Sequence, residues 1–177
     1  MLTKEQKLQG KFRNEDSHKR LMEENGVVSI WLGNANTVED INDYLEEDYS
    51  DLESDFEGFG EDEDPYDFSF VTNLFGLDFG IGSYDHDFSS CEFFEPTNDL
   101  ELIISPWNDL IPSLKQHAIK QFGRTLNQKY NTVLLLISYR YVPDINYPRP
   151  EYAERKVMLE FLGAFPFDEE ISLKHLY

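Results

Sequence analysis

The sequence predicts an α+β fold: a mainly antiparallel sheet with helices packed against it, in a single domain. Three observations lead there. Apolar, β-branched runs stand at Val27–Leu32 (VVSIWL), Thr132–Val142 (TVLLLISYRYV) and Arg155–Gly163 (RKVMLEFLG), the pattern of strands buried in a sheet. Leu110, Leu114, Ala118, Phe122 and Leu126 recur at helical spacing, which predicts a long helix over Asp109–Lys129. Between the last two strands the segment PDINYPRPEY carries three prolines, so the chain must turn there, and the two strands are expected to be antiparallel neighbours.

Taken in order, residues 1–25 are polar, of mixed charge and sparse in apolar positions, and they read as an extension ahead of a domain spanning 26–177. Val27–Leu32 is the first strand, ended by Gly33-Asn34, and Trp31 within it is a core residue. Thr37 with Asp40 three positions on resembles a capping box, in which the threonine oxygen takes a free amide of the first turn. Val38, Ile41, Tyr44 and Leu45 then fall at helical spacing, so a helix over Thr37–Glu47 is expected. Phe68–Phe75 predicts a short helix closed by Gly76. Leu77–Phe88 is broken by glycines and reads as irregular. Cys91–Phe94 and Leu100–Ile104 read as further short strands. Pro112 is tolerated only in a first turn, which puts the start of the long helix near Trp107–Ile111.

At 177 residues the chain can bury a core without disulfides or metal. Its aromatic share of 15% excludes a wholly disordered acidic tail, since such chains are poor in aromatics. Cys91 is the single cysteine, so no internal disulfide forms, in keeping with a reducing compartment. The first residues contain no apolar signal core, and the longest apolar run, Val133–Ile137, is far too short to span a bilayer. A soluble, cytoplasmic protein is expected.

The net charge is −20, and its placement matters more than its size. No Lys or Arg occurs from Leu21 to Leu114, a stretch that holds 25 of the 35 acidic residues. The densest part is Glu46–Asp67, where 12 of 22 residues are Asp or Glu. Such a field repels nucleic acid and anionic membrane and attracts basic proteins. The plainer reading is a solvated insertion that aids solubility. As partner contacts the sequence nominates Glu46, Glu47, Asp48, Asp51, Asp55, Glu61 and Asp62, with Asp85 and Asp87 behind them. Tyr49 and Tyr66 are nominated as aromatic contacts, because tyrosine is enriched in interface hot spots.

Catalytic and metal motifs do not assemble. A calcium loop started at Asp51 would place Phe56 where glycine is required and Asp62 at its last ligand position. Asp85-His86-Asp87 offers three ligand types, but in a strand His86 would point away from the two carboxylates; the plainer reading is a loop anchored by hydrogen bonds. Asp78-Phe79-Gly80 matches the kinase magnesium motif without any of its companions, so the match is chance. Phosphate-loop, dinucleotide, nucleophile-elbow and zinc-protease motifs are missing. Cys91 among so many carboxylates should be a poor nucleophile, its thiol pKa raised. No enzyme, cofactor or metal is expected.

Four segments carry a family resemblance. VVSIWLGN at Val27–Asn34 is followed by Tyr44-Leu45-Glu46-Glu47-Asp48-Tyr49. Later come Phe75-Gly76-Leu77-Asp78-Phe79 and Tyr84-Asp85-His86-Asp87-Phe88. In this order the chain resembles the bacterial immunity protein 22 family over about residues 27–95, with the first 25 residues outside the pattern. The resemblance implies an antidote encoded beside a polymorphic toxin, acting by stoichiometric occlusion. The charge adds that the toxin is basic, as a nuclease must be to attract phosphate. The alternative is a general acidic interaction module or a nucleic-acid mimic that regulates a basic protein.

Overall fold

In a computed structural model, which describes residues 17–47, 73–82, 84–147 and 155–167, the apolar run at Val27 is the middle of a longer strand. A single helical turn, α1 (Ser17–Arg20), leads into β1 (Leu21–Ala35), which starts six residues earlier than expected and runs through Gly33-Asn34. Helix α2 (Val38–Leu45) begins as the capping pattern predicts: Thr37 Oγ1 accepts the Asp40 N–H at 3.1 Å. Helix α3 (Leu74–Phe79) is capped by Asn73, whose side chain accepts the Gly76 N–H at 2.8 Å. Its end is Gly80, in the left-handed region at φ 62°, and not Gly76, which lies buried inside the helix. The expected helix start at Phe68 lies outside the described residues.

A 3₁₀ turn at His86–Phe88 opens into β2 (Ser89–Asp99), which contains the expected Cys91–Phe94 strand. Leu100–Ile104 is not a strand. Asp99 accepts the Glu101 N–H at 3.0 Å and so starts a helical turn, α4 (Leu100–Ile103), followed by a 3₁₀ turn at Ser105–Trp107.

The long helix is corrected at its far end. Helix α5 (Pro112–Phe122) stops at Gly123, whose φ of 80° and ψ of 170° leave the helical region. Glycine reaches that conformation without the Cβ penalty. Strand β3 (Thr125–Tyr141) follows at once. Leu126 therefore packs against the core from a strand, and the four-residue repeat ran across the junction by coincidence. Strand β4 (Val157–Pro166) completes the sheet.

The sheet order is β2-β3-β1-β4, with β1 antiparallel to β4 and β2 antiparallel to β3. The strands on either side of the proline-rich segment are thus not neighbours: β1 lies between them. That pairing depends on apolar side chains distant in sequence, which the turn residues do not encode. The fold class is α+β, as predicted.

The described residues fall into two compact units. One lies within Met1–Leu21, Thr37–Tyr84 and Val142–Arg155, the other within Met22–Asn36, Asp85–Tyr141 and Lys156–Tyr177. In the second unit, Val28, Ile30 and Leu32 of β1 meet Val133, Leu135 and Ile137 of β3 and Leu100, Ile103, Trp107, Leu114 and Ala118 from the helical segments. This is the alternation expected of strands with one face on helices. Trp31, on the opposite face of β1, is fully buried, its ring 5.2 Å from those of Tyr141 and Phe161. A bulge between Ile30 and Trp31 lets the β1–β4 register slip by one residue. In the first unit, the Phe75 ring gathers Tyr44, Phe79 and Tyr84 at centroid distances of 6.3, 5.3 and 5.8 Å.

Candidate functional site

Helix α2 shows how the acids are presented. Ile41 and Tyr44 are buried, so the remaining face must look outward. Glu39, Asp43 and Glu46 fall on that face at spacings of four and three residues, and all three are exposed. Glu46 also donates its backbone N–H to the Asn42 carbonyl at 2.8 Å, ending the helix. Glu47 follows half-buried. Asp48, Tyr49, Asp51, Asp55, Glu61, Asp62 and Tyr66 lie outside the described residues.

Asp85 and Asp87 are exposed in the second unit. Asp85 Oδ1 accepts the Asp87 N–H at 3.0 Å and caps the 3₁₀ turn, while Ser89 Oγ donates to the His86 carbonyl at 2.8 Å. The Asp85 N–H is held by the Tyr139 hydroxyl at 3.1 Å. This is a hydrogen-bonded loop anchor, the plainer of the two readings of this triplet. Among the described residues no group of three His, Cys, Asp or Glu side chains could hold a metal ion.

The described carboxylates divide by what they face. Asp99 receives Arg124 at 2.9 Å, and Glu101 receives Arg124 at 3.0 Å and Lys115 at 3.1 Å. Glu24 receives Arg140 through Nη2 at 2.8 Å. The hydrogen bond from Arg124 holds the Asp99 carboxyl below the usual range, and that from Arg140 does the same for Glu24, against a smaller opposing effect of burial. Glu39, Asp43, Glu46, Asp85 and Asp87 pair with no Lys or Arg among the described residues. Their charge is therefore directed to solvent.

Asp78 is the exception within the acidic stretch. It is only 2% exposed. Its Oδ2 accepts the Tyr44 hydroxyl at 2.8 Å and Arg155 Nη1 at 2.9 Å. Asn73 Nδ2 adds a bond to the Leu45 carbonyl at 3.3 Å. These contacts tie α2 to α3 and fix the helix that displays Glu39, Asp43 and Glu46. Asp78 is a structural anchor, its carboxylate oxygen held by Tyr44 and Arg155. Cys91 is half-buried, and burial first, then the Glu92 charge, pushes its thiol up to about 12. The expected direction holds, with burial the larger cause.

Sequence reasoning passed over Glu39 and Asp43, although their helical spacing with Glu46 was a usable signal. It had no signal for the Asp78–Arg155 pair, whose members are 77 residues apart.

The model of the family described as Immunity protein 22 matches residues 28–168. The chain belongs to this family. No curated protein and no solved structure matches it. The matched span contains α2, the Asp78 anchor and the Asp85–Asp87 turn, whereas Arg20 and Glu24 precede it. Membership in an immunity family supports a toxin-neutralising role in general, with a toxin as partner. Among the described residues no helix is long and apolar enough to cross a membrane.

Proposed function

We propose that this immunity protein neutralises a cognate bacterial toxin by stoichiometric occlusion through an acidic surface, without catalysis, in the cytoplasm of the producing cell. The toxin is a basic, nuclease-type effector. The observation that carries the reading is the family match over residues 28–168. Two further facts support the acidic surface. Basic residues are wanting from Leu21 to Leu114, and the exposed carboxylates of α2 are not used up by internal ion pairs.

The physical logic is complementarity. A protein that grips phosphate must present Lys and Arg, and a clustered carboxylate surface competes for the same residues. It also speeds encounter, so the antidote docks before the toxin finds its substrate. The contacts proposed are the acidic stretch 46–67 with Asp85 and Asp87, extended by Glu39 and Asp43 on the outer face of α2.

The test is rescue by co-expression. The C-terminal domain of the toxin encoded beside this chain is expressed in a susceptible host with and without it. Survival only in its presence is expected. Death in both cases would sink the reading for that toxin. Within a working pair, the triple variant Glu39→Gln, Asp43→Asn, Glu46→Gln should bind the toxin about tenfold more weakly at low salt, mostly through slower association.

A further inference from the structure

Ser138 is the one non-glycine residue with a positive φ among the described residues, at 61°. The left-handed region crowds a Cβ against the backbone, so a serine stays there only where its surroundings hold it. Here the hold comes from Ser29 of β1. Its hydroxyl, fully buried, donates to the Tyr139 carbonyl at 2.9 Å and accepts the Tyr141 N–H at 2.8 Å. One side chain thus takes up two main-chain groups just past the irregular residue, where burial makes an unpaired group costly.

The irregularity reverses the faces of β3. Val133, Leu135 and Ile137 lie in the core beneath the helices, and strict alternation would send Tyr139 and Tyr141 to the same side. Instead the Tyr141 ring meets Trp31, on the other face of the sheet, at 5.2 Å. An extra residue in one strand has this effect, as in a β-bulge. Tyr141 gains a ring contact from the reversal. What Tyr139 gains lies at its hydroxyl, which accepts the Asp85 N–H at 3.1 Å while the residue is buried. A phenylalanine would fill the same volume, so packing does not ask for this oxygen. The ladder between β2 and β3 starts at Ser89 and Leu136, so the Tyr139 bond fastens the turn ahead of β2 to β3 beyond the ladder. Asp85 Oδ1 in turn accepts the Asp87 N–H at 3.0 Å, so the placement of both carboxylates follows from where the Asp85 backbone is held. All these residues belong to one compact unit.

We infer that Tyr139 is a positioning residue for toxin binding: aimed by the Ser138 bulge and the Ser29 hydroxyl, it fixes the turn from which Asp85 and Asp87 meet the toxin. The inference rests on the toxin-neutralising reading, in which both carboxylates are contacts, and adds the residue that stands behind them. Neither carboxylate is drawn aside by a Lys or Arg among the described residues. A turn fixed before docking avoids the entropy loss that a loose one suffers on binding.

The experiment combines amide exchange on the free full-length chain with affinity for the C-terminal domain of the toxin encoded beside it. Tyr139→Phe should speed exchange of the Asp85 amide about tenfold and leave the Tyr141 amide, held by Ser29, protected. It should weaken toxin binding about fivefold. The double variant Asp85→Asn, Asp87→Asn keeps an oxygen to cap the turn and removes the charge, and it should bind about tenfold more weakly. On that background Tyr139→Phe should weaken binding by less than about twofold more, because a residue that acts through the carboxylates has nothing left to position. An equal loss on both backgrounds would mark a general structural role and overturn the inference. Unchanged Asp85 exchange or unchanged affinity in Tyr139→Phe would overturn it too, with the proposed function left standing. Unchanged affinity in the double carboxylate variant would overturn it and strike the turn from the proposed contacts. No binding by the wild type would overturn both.

Discussion

The residue that decides most about the first unit is Asp78. A carboxylate removed from water must be paired, and Arg155 and Tyr44 do this at one oxygen. Asp78→Ala would leave the partly buried Arg155 guanidinium without its carboxylate. A loss of about 3 kcal/mol in urea unfolding is expected, against about 1 kcal/mol for Tyr44→Phe, which removes one hydrogen bond and keeps the ion pair. Equal, small losses from both would mean the pair adds nothing beyond packing. Cys91 gives a pH prediction. Its thiol rises from an ordinary 9.0 to about 12 in the fold, so between those values the folded chain keeps a proton that the unfolded chain has released. The folded state then binds more protons, and stability falls as pH rises. The contribution is complete below pH 9.0 and is lost on the way to about 12. Unfolding followed across that window should show a steeper decline in the wild type than in Cys91→Ser, where Tyr130 and Tyr139, whose hydroxyl pKa values burial also raises, still contribute. Alkylation of Cys91 near pH 8 should be slow until the chain is unfolded.

At the scale of elements, β1 is the strand on which the sheet depends, since both β3 and β4 pair with it. Its contact with β4 leaves no space at Gly33. A Cβ built there would stand 2.0 Å from the Met158 carbonyl oxygen and 2.9 Å from the Leu159 Cα. Backbone atoms cannot rotate aside as a side-chain end can. Gly33→Ala should therefore cost about 3 kcal/mol or prevent folding, and amide exchange should show the loss along the β1–β4 ladder first. Unchanged exchange in β4 would mean the strands part there without penalty. Helix α2 illustrates the opposite case, an element specified locally. The Thr37 cap, the buried positions and the outward carboxylates all follow from spacing within a dozen residues. The segment after α5 was legible only in part. An apolar repeat at helical period continued past Gly123, and only the pairing of Asp99 with Thr125 shows that a strand had begun.

The whole molecule is governed by its charge. A net −20 on 177 residues opposes compaction through self-repulsion, while Arg124, Lys115 and Arg140 relieve it locally at Asp99, Glu101 and Glu24. Screening acts on both, but acids outnumber Lys and Arg by 35 to 15, so repulsion is the larger effect. Raising NaCl from about 0.02 to about 0.5 M at pH 7 should raise Tm by a few degrees and weaken toxin binding in the same titration. A Tm that falls with salt would mean the ion pairs outweigh the repulsion.

The sequence by itself determined the fold class, the family, the capped helix after Thr37, the burial of Trp31 and the segregation of acid from base. Each of these is written in neighbouring residues or in composition, and needs no knowledge of what folds against what. Tertiary structure decided the rest. It placed β1 between β3 and β4, and turned Asp78 inward and Glu39, Asp43 and Glu46 outward. The reason is that a carboxylate's role depends on whether a cation from a distant segment reaches it. Asp78 and Asp43 look alike in the sequence. Only the arrival of Arg155, 77 residues downstream of Asp78, makes one of them an internal anchor and leaves the other facing water.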